Sequence, residues 1–171
     1  MSRRVSLKEF QEGLAGRLRA AAAEPAQNSR LGFEAGEQCW LARLDRSGEV
    51  LQVPEIQRVP LTQGWFLGVS NIRGTLYGIT DFAMFAGQPA TPRGPENRLL
   101  LVGQPFGTNC ALLVSRLSGL RNVSDYTPEP QPADAPAWSA GAWRDKEARL
   151  WRELDVERLL ALRGFLDIAL H

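Results

Sequence analysis

Residues able to carry catalysis are few in this 171-residue sequence. The one histidine, His171, is the last residue, where chain ends are poorly held, so neither a serine or cysteine triad nor a two-histidine metal site is predicted. Cys39 and Cys110 lie far apart, without CxxC spacing, in apolar runs typical of buried structural thiols. Neither a P-loop nor a GxGxxG motif occurs, so no nucleotide enzyme and no cofactor are predicted.

Carboxylates are plentiful, and Asp81 ends the strand-like run LYGITD, a position that an aspartate phosphoacceptor can occupy. A phosphoacceptor domain alternates helices with parallel strands, whereas short strands surround Asp81. We therefore expect Asp81 to bond nearby backbone amides and to start the segment FAMFAG. A small enzyme built on a pair of carboxylates stays open as an alternative, because a sequence does not show which carboxylates share a cleft.

The run GVSNIRG, residues 68 to 74, places an arginine just before a glycine at the joint of two apolar strands. Gly74 allows a positive φ, and Asn71 tolerates the left-handed region and bonds local backbone, so this joint is predicted to be a tight turn. The turn does not explain Arg73. Its guanidinium is suited to recognition of a carboxylate, on a partner or on the same surface, although an exposed charge that keeps the turn soluble is an alternative.

Charge and hydropathy limit the classes of partner. Lysine and arginine number 20 against 19 aspartates and glutamates, a net charge of +1, so nucleic acid is not a predicted partner. The longest apolar runs have strand length, far below the roughly 20 residues that span a bilayer, so no membrane insertion is predicted. No secretory signal is recognisable at the N-terminus, and a cytoplasmic location is expected.

An amphipathic helix is predicted over residues 6–22. Ser6 and Glu9 form a capping box, and apolar residues recur at helical spacing. We expect the helix to pack on its own domain, with docking on a partner or a membrane surface as the alternative. Residues 24–30 are predicted to be a linker. The apolar positions of the helix are Leu7, Phe10, Leu14 and Leu18.

From residue 31 the apolar period changes to two, which is typical of short β-strands in a barrel or sandwich. Two proline-rich segments, 86–97 and 122–141, are predicted to be surface loops, the second long enough to be partly disordered. Asp155 is predicted to cap a short helix that Gly164 ends. The predicted strands are 31–35, 38–44, 49–53, 65–69, 75–82, 98–102, 110–117 and 147–154.

The run GVSNIRG, followed by an apolar strand and Asp81, resembles the signature of the CheW family of chemotaxis coupling proteins. Further stretches between about residues 30 and 163 are also similar to that family. The stretches WFLGVSNIRG, LYGITDF and FAG resemble the PilI-type members, which act in type IV pilus twitching-motility signalling. The other family-like stretches are LGF from residue 31, EV from 49, VPEI from 53, RVP from 58, LLV from 112, GLR from 119 and LDVERLL from 154.

This resemblance implies a mainly β fold of two small five-stranded SH3-like β-barrels that share a core, over residues 30–171, preceded by the helix and linker of residues 1–29. It implies a non-catalytic protein that couples the cytoplasmic tip of a methyl-accepting chemoreceptor to the regulatory domain of a CheA-like histidine kinase. The partner-binding residues it implies are Glu49, Asn71, Arg73 and Gly74, with Glu49 able to pair with Arg73.

A generic β-barrel module that binds peptides is the alternative binding function. It would use an exposed aromatic groove and would not depend on Arg73. Aromatic residues in strands are more often core than groove, which favours the coupling protein. The candidate groove residues are Trp40, Trp65, Phe66 and Tyr77.

Overall fold

The computed structural model describes residues 27–43, 45 and 47–171. The helix predicted over 6–22 lies outside the described residues. The described part forms two mixed β-sheets, each the basis of one SH3-like subdomain, which confirms the mainly β prediction. The strand predicted from residue 31 begins earlier, at Ser29, inside the segment predicted to be a linker.

One sheet has six strands and the other has five. The six-stranded sheet has the order β8-β1-β2-β11-β10-β9, and the five-stranded sheet has the order β3-β6-β7-β5-β4. The strands are β1 (Ser29–Ala35), β2 (Gln38–Arg43), β3 (Ser47–Gln52), β4 (Phe66–Ile72), β5 (Thr75–Asp81), β6 (Arg98–Val102), β7 (Cys110–Val114), β8 (Arg116–Asn122), β9 (Thr127–Glu129), β10 (Ser139–Arg144) and β11 (Leu150–Leu154). The helices are α1 (Phe82–Phe85), α2 (Val156–Ala161) and α3 (Arg163–Leu166).

The chain crosses from one sheet to the other at Ser115. The amide of Ser115 donates a 2.8 Å hydrogen bond to the carbonyl of Glu34, which ties the end of β7 to β1. The prediction of one strand over 110–117 is therefore wrong: β7 ends at Val114 in the five-stranded sheet, and β8 begins at Arg116 in the six-stranded sheet. The apolar pattern predicts that residues on both sides of Ser115 are in strands, but it does not show that these residues pair with different sheets.

A single apolar cluster joins the two sheets. Phe82 of α1 meets Phe33 and Trp40 of the six-stranded sheet edge to face, with ring centroids 5.7 and 5.1 Å apart. Leu100 and Leu112 reach the same cluster from the five-stranded sheet. All five side chains are fully buried, so the two subdomains share one core, as the resemblance implied.

Asp81 has the structural role that its position predicted. Its carboxylate caps α1 by accepting from the amide of Met84, and it also accepts from the amide and the hydroxyl of Thr91, both at 2.8 Å. These bonds fix the proline-rich loop 86–97 against the end of β5. Asp81 is buried, and both of its carboxylate oxygens accept hydrogen bonds from within the fold.

The proline-rich segment 122–141 is more ordered than predicted. It contains the edge strand β9 and the first residues of β10. Pro128 is tolerated in β9 because an edge strand leaves one side of its backbone unpaired. The guanidinium of Arg144 binds the carboxylate of Glu129 through two nitrogens and holds the short strand to β10.

The C-terminal region differs from its prediction at two points. The strand predicted over 147–154 begins only at Leu150, because the Asp145 carboxylate accepts from the amides of Glu147 and Arg149 and closes a turn there. Asp155 caps α2 as predicted. Gly164 does not end that helix: α2 ends at Ala161, and Gly164 lies within α3.

A second aromatic cluster ties the C-terminal helices to both sheets. Phe165 of α3 stacks on Trp65, which precedes β4, and meets Phe85 of α1 at 5.0 Å between ring centroids. Trp138, which precedes β10, lies 5.0 Å from Phe85. The cluster as a whole therefore joins α3 to elements that lead into both subdomains, with Phe85 as the link between Phe165 and Trp138.

Replacement of Phe165 by alanine is expected to destabilise the fold by about 3 to 5 kcal/mol, because it removes a buried ring at the centre of this cluster. The loss would appear in urea unfolding and as a melting temperature lower by roughly 10 °C. Leu166→Ala, one residue later and exposed, is the matched control. A change of the same size in both variants would contradict the clustered role of Phe165.

Candidate partner-binding surface

The turn between β4 and β5 consists of two residues, Arg73 and Gly74. Both have positive φ angles, 52° and 85°, the combination that a tight primed hairpin turn requires. The amide of Gly74 donates a 2.8 Å hydrogen bond to Oδ1 of Asn71. The predicted tight turn is confirmed, but the left-handed non-glycine residue is Arg73, while Asn71 stays extended in β4.

Glu49 and Arg73 form an ion pair across the opening between the outer strands of the five-stranded sheet. Glu49 lies in β3 and Arg73 follows β4, the two edge strands of that sheet. Nη1 and Nη2 of Arg73 each bind a different carboxylate oxygen of Glu49, a two-pronged geometry that fixes the plane of the guanidinium. The pair thus connects two strands that share no ladder.

The pair is exposed and its charges influence each other. The hydrogen bonds from Arg73 hold the pKa of Glu49 below its ordinary value, and the same bonds raise the pKa of Arg73. The side chains remain 42% and 70% exposed, so solvent screens the attraction and the pair adds little to fold stability. Its main effect is to orient the guanidinium on the surface.

Gly68 allows another segment to lie against the outer edge of β4. Gln57 and Val69 exchange two backbone hydrogen bonds of 2.8 and 2.9 Å, and Ser70 donates its hydroxyl to the carbonyl of Glu55 at 2.8 Å. A Cβ on Gly68 would stand 2.1 Å from the carbonyl oxygen of Gln57. The first glycine of GVSNIRG is therefore required by this close backbone approach.

An open groove runs beside the turn. Its walls are the segment that starts at Pro54 and the last residues of β4, and Leu76 of β5 forms its apolar border with 60% of the residue exposed. The groove and the ion pair form one continuous region, which we call the motif surface. It consists of Glu49, Glu55, Ser70, Asn71, Arg73, Gly74 and Leu76.

The structure brings together the four residues predicted from the sequence, Glu49, Asn71, Arg73 and Gly74, through the contacts just described. Leu76 was not predicted. The signal for it is the alternation of β5, in which Tyr77 faces inward and its neighbour must face outward. Glu55 and Ser70 were not predicted either, because their contact depends on the close approach of two backbone segments, which the sequence pattern does not predict.

The aromatic groove of the peptide-binding alternative does not form. Trp40 and Tyr77 are buried, Phe66 is buried at the start of β4, and Trp65 stacks on Phe165. The four rings do not form one exposed aromatic groove: Trp65 is half-buried, and Phe66 alone also lines a cleft, together with Leu61 and Arg58. The favoured interpretation of them as core residues is therefore confirmed.

Buried carboxylates are the first candidates for the enzyme alternative, and two occur in the described part of the chain. Asp81 is occupied by Met84 and Thr91. Glu153 accepts from Nε of Arg30 at 2.7 Å and from the indole of Trp143 at 3.1 Å. Within the described residues no hydrogen bond joins either of them to a second carboxylate, and their hydrogen-bond partners hold elements of the fold together.

The two thiols differ in exposure. Cys110 is buried, and burial raises its pKa to about 12, as expected for a structural thiol. Cys39 is only half-buried, although burial still raises its pKa. Across residues 27–43, 45 and 47–171, no cluster of three or more histidine, cysteine or carboxylate side chains is arranged to hold a metal ion.

Comparison with known families adds a finding to this geometry. The CheW-like domain family matches residues 30–163, most of the chain. The chain belongs to the CheW-like domain family. The match covers both sheets and includes the motif surface and α2. The comparison with curated proteins finds no match.

A solved structure shares the CheW-like fold. The crystal structure of the scaffolding protein TtCheW from Thermoanaerobacter tengcongensis superposes with a TM-score of 0.69 at 17% sequence identity. The alignment covers 80% of this chain and 90% of TtCheW. At this identity the likeness establishes the arrangement of strands and leaves residue roles to the contacts of this chain.

Tyr77 and Gly78 of β5 both contribute to packing in the interior. Tyr77 is buried and its hydroxyl accepts from Nε2 of Gln104 at 2.8 Å. A Cβ on Gly78 would lie 3.1 Å from the ring of Phe66. These two residues therefore pack beneath the motif surface, while Leu76 forms its exposed border.

We expect Gly68→Ala to destabilise this CheW-like fold by about 2 kcal/mol or more, because the added Cβ meets backbone rather than a flexible side chain. Urea unfolding measures the loss. Amide exchange at Val69 and Gln57 should rise above the global effect as their paired bonds open. Gly164→Ala, where a Cβ meets nothing within 4 Å, is the control. Equal stability of the two variants would contradict the close approach.

The Glu49–Arg73 pair predicts a pH dependence. Because the folded pKa of Glu49 is lowered, the pair is complete above the ordinary glutamate value of 4.5 and is lost as pH falls through the lowered pKa. Carboxyl-carbon NMR of Arg73→Ala should show the Glu49 pKa return toward its ordinary value. Glu129, whose pKa Arg144 lowers, should be unaffected in that variant. An unchanged Glu49 titration would contradict the pairing.

Proposed function

We propose that this protein is a non-catalytic coupling scaffold that links a methyl-accepting chemoreceptor to a CheA-like histidine kinase. Membership of the CheW-like family supports this function. The observation that carries it is the exposed, two-pronged Glu49–Arg73 pair beside the groove of the motif surface. This arrangement offers an oriented guanidinium and an apolar border without a catalytic constellation.

The motif surface is suited to binding because its parts are ordered before a partner arrives. The Arg73–Gly74 turn has little backbone freedom left to lose, and Glu49 fixes the guanidinium plane. Arg73 remains largely exposed and so keeps donor nitrogens accessible around its rim. We propose Glu49, Asn71, Arg73 and Gly74 as partner-binding residues and add Leu76 as the apolar contact.

Coupling requires differential binding and no bond chemistry. A receptor signal would pass as a shift between kinase states that bind the scaffold with different strength. Contacts of micromolar affinity are sufficient, because a protein held in an array by several contacts profits from a high local concentration. We propose a cytoplasmic location at the inner face of the membrane. No helix among residues 27–43, 45 and 47–171 is long and apolar enough to span a bilayer.

We further propose the PilI-type role, in type IV pilus and twitching-motility signalling. Its support is the similarity of WFLGVSNIRG, LYGITDF and FAG to that subfamily. Residues 1–29 form a separate segment in this proposal, and residues 30–171 form the domain. The partners would be the regulatory domain of the kinase and the cytoplasmic tip of the receptor.

Arg73→Glu is expected to weaken binding to the kinase regulatory domain from the same organism by more than about tenfold, because it reverses an exposed, oriented charge. Titration calorimetry measures the affinity, and the melting temperature should be nearly unchanged. Arg116→Glu is the matched control: Arg116 makes a similar two-pronged, exposed pair with Glu34 on the other sheet.

The double variant Glu49→Arg/Arg73→Glu separates two roles of the arginine. If Arg73 contacts the partner, the reversed pair re-forms within the protein but binding stays weak. Full recovery of affinity would mean that Arg73 acts only by pairing with Glu49. Equal losses in Arg73→Glu and Arg116→Glu, or no binding by the wild type to either the kinase domain or the receptor tip, would refute the proposed site.

A further inference from the structure

Leu61 is an outlier in both conformation and exposure. Its φ is +58°, in the left-handed region that a leucine rarely adopts, and 79% of the residue is exposed to solvent. A glycine or asparagine would satisfy the same backbone at lower cost, and burial gives the leucine no compensation. Local strain without structural benefit points to a role for this side chain on the surface.

The C-terminal segment holds Leu61 in place. The amide of Leu170 donates to the carbonyl of Leu61 at 3.0 Å, and the amide of Gln63 donates to the carbonyl of Ile168 at 2.8 Å. Thr62 and Ala169 form the antiparallel bridge between these bonds. Leu170, also more than half exposed, therefore lies beside Leu61, and two solvent-facing leucines stand together.

Two arginines share a cleft with Leu61, and Leu170 stands next to Leu61 outside the residues that line this cleft. Leu61, Val59, Arg58 and Arg93 all line one cleft of about 260 Å³. Both arginines are exposed, and within the described residues neither has an ion-pair or hydrogen-bond partner. Asp167, on the C-terminal segment, does not line the cleft, and its Oδ2 lies 2.9 Å from Nε2 of His171. The cleft therefore combines apolar side chains with positive charge that nothing in it neutralises.

This cleft is separate from the motif surface, and the C-terminal segment beside it lies outside the family match. The cleft and the groove beside Arg73 have no lining residue in common, although Ile56 of the cleft lies between Glu55 and Gln57 of the groove in the sequence. Leu170, and Ala169 which bridges to Thr62, lie beyond residue 163, where the CheW-like match ends. The exposed leucine pair thus combines Leu61, inside the family match, with Leu170 outside it.

We propose that this cleft is a docking site for an acidic amphipathic segment of a partner protein. Leucine-type side chains of that segment would cover Leu61 and Leu170, and its carboxylates would meet Arg58 and Arg93. The site is independent of the coupling function proposed for the motif surface, so either can fail without the other.

Two other occupants fit the charge less well. The chain's own residues 1–26 contain five basic and three acidic residues, a net positive charge that Arg58 and Arg93 repel. A membrane surface is normally held by clusters of four to eight basic residues, whereas this cleft presents two. An acidic protein segment supplies both missing features, apolar contact and negative charge.

The test uses a labelled synthetic peptide of about 18 residues, long enough to be helical, with leucines on one face and glutamates on the other. Fluorescence anisotropy with the full chain should give saturable binding, and a peptide with lysines in place of the glutamates should not bind. Leu61→Asn should weaken binding about tenfold while the melting temperature holds or rises, because asparagine tolerates the left-handed backbone. Leu120→Asn, at another exposed leucine, is the control.

Arg58→Glu with Arg93→Glu should also abolish binding of the glutamate peptide, and Arg73→Glu should leave it unchanged. Absence of binding by the wild type, or equal binding of both peptides, would overturn the proposal. Tighter binding after Phe10→Ser and Leu14→Ser would assign the cleft to the chain's own N-terminal segment instead. Binding to anionic phospholipid vesicles that Leu61→Asn abolishes, with no peptide binding, would assign it to a membrane.

Discussion

The motif surface depends on how the two outer strands of the five-stranded sheet, β3 and β4, are held relative to each other. β3 and β4 share no hydrogen-bond ladder, yet they belong to one rim because apolar residues from both strands and from those between them pack in a common interior. Leu51 from β3 and Ile72 from β4 contribute to that cluster. Interior packing stabilises the sheet, and the exposed Glu49–Arg73 pair at its edge orients the guanidinium of Arg73.

Residues with different physical roles are combined in the short run GVSNIRG. Gly68 is required by the backbone of the neighbouring segment, Ser70 fastens that segment, and Asn71 bonds the turn. Arg73 is the charged residue of the run and directs its guanidinium to solvent. A run that looks like a single motif is therefore mostly support, and the support explains why one arginine can be held so firmly on a hairpin.

The sequence predicted those features that depend on local chemistry or on regular burial. The tight turn, the cap at Asp155, the role of Asp81 and most strands have such signals. Features that depend on a distant partner were missed: the crossing at Ser115, the half-exposed state of Cys39 and the strand within the proline-rich segment. In each case the deciding contact is long-range, such as Ser115 with Glu34, and no periodicity in a short window reports it.

The order of the strands along the chain has a consequence for biosynthesis. β1 and β2 belong to the six-stranded sheet, but their other neighbours, β8 and β11, are made only after the whole five-stranded sheet has been synthesised. An emerging hairpin of two strands is at best marginally stable alone. The nascent β1–β2 hairpin must therefore wait with both edges unpaired, and the five-stranded subdomain is the first that can complete its own ladder on the ribosome. This topology therefore requires that the unpaired edges of the β1–β2 hairpin be protected from aggregation during synthesis.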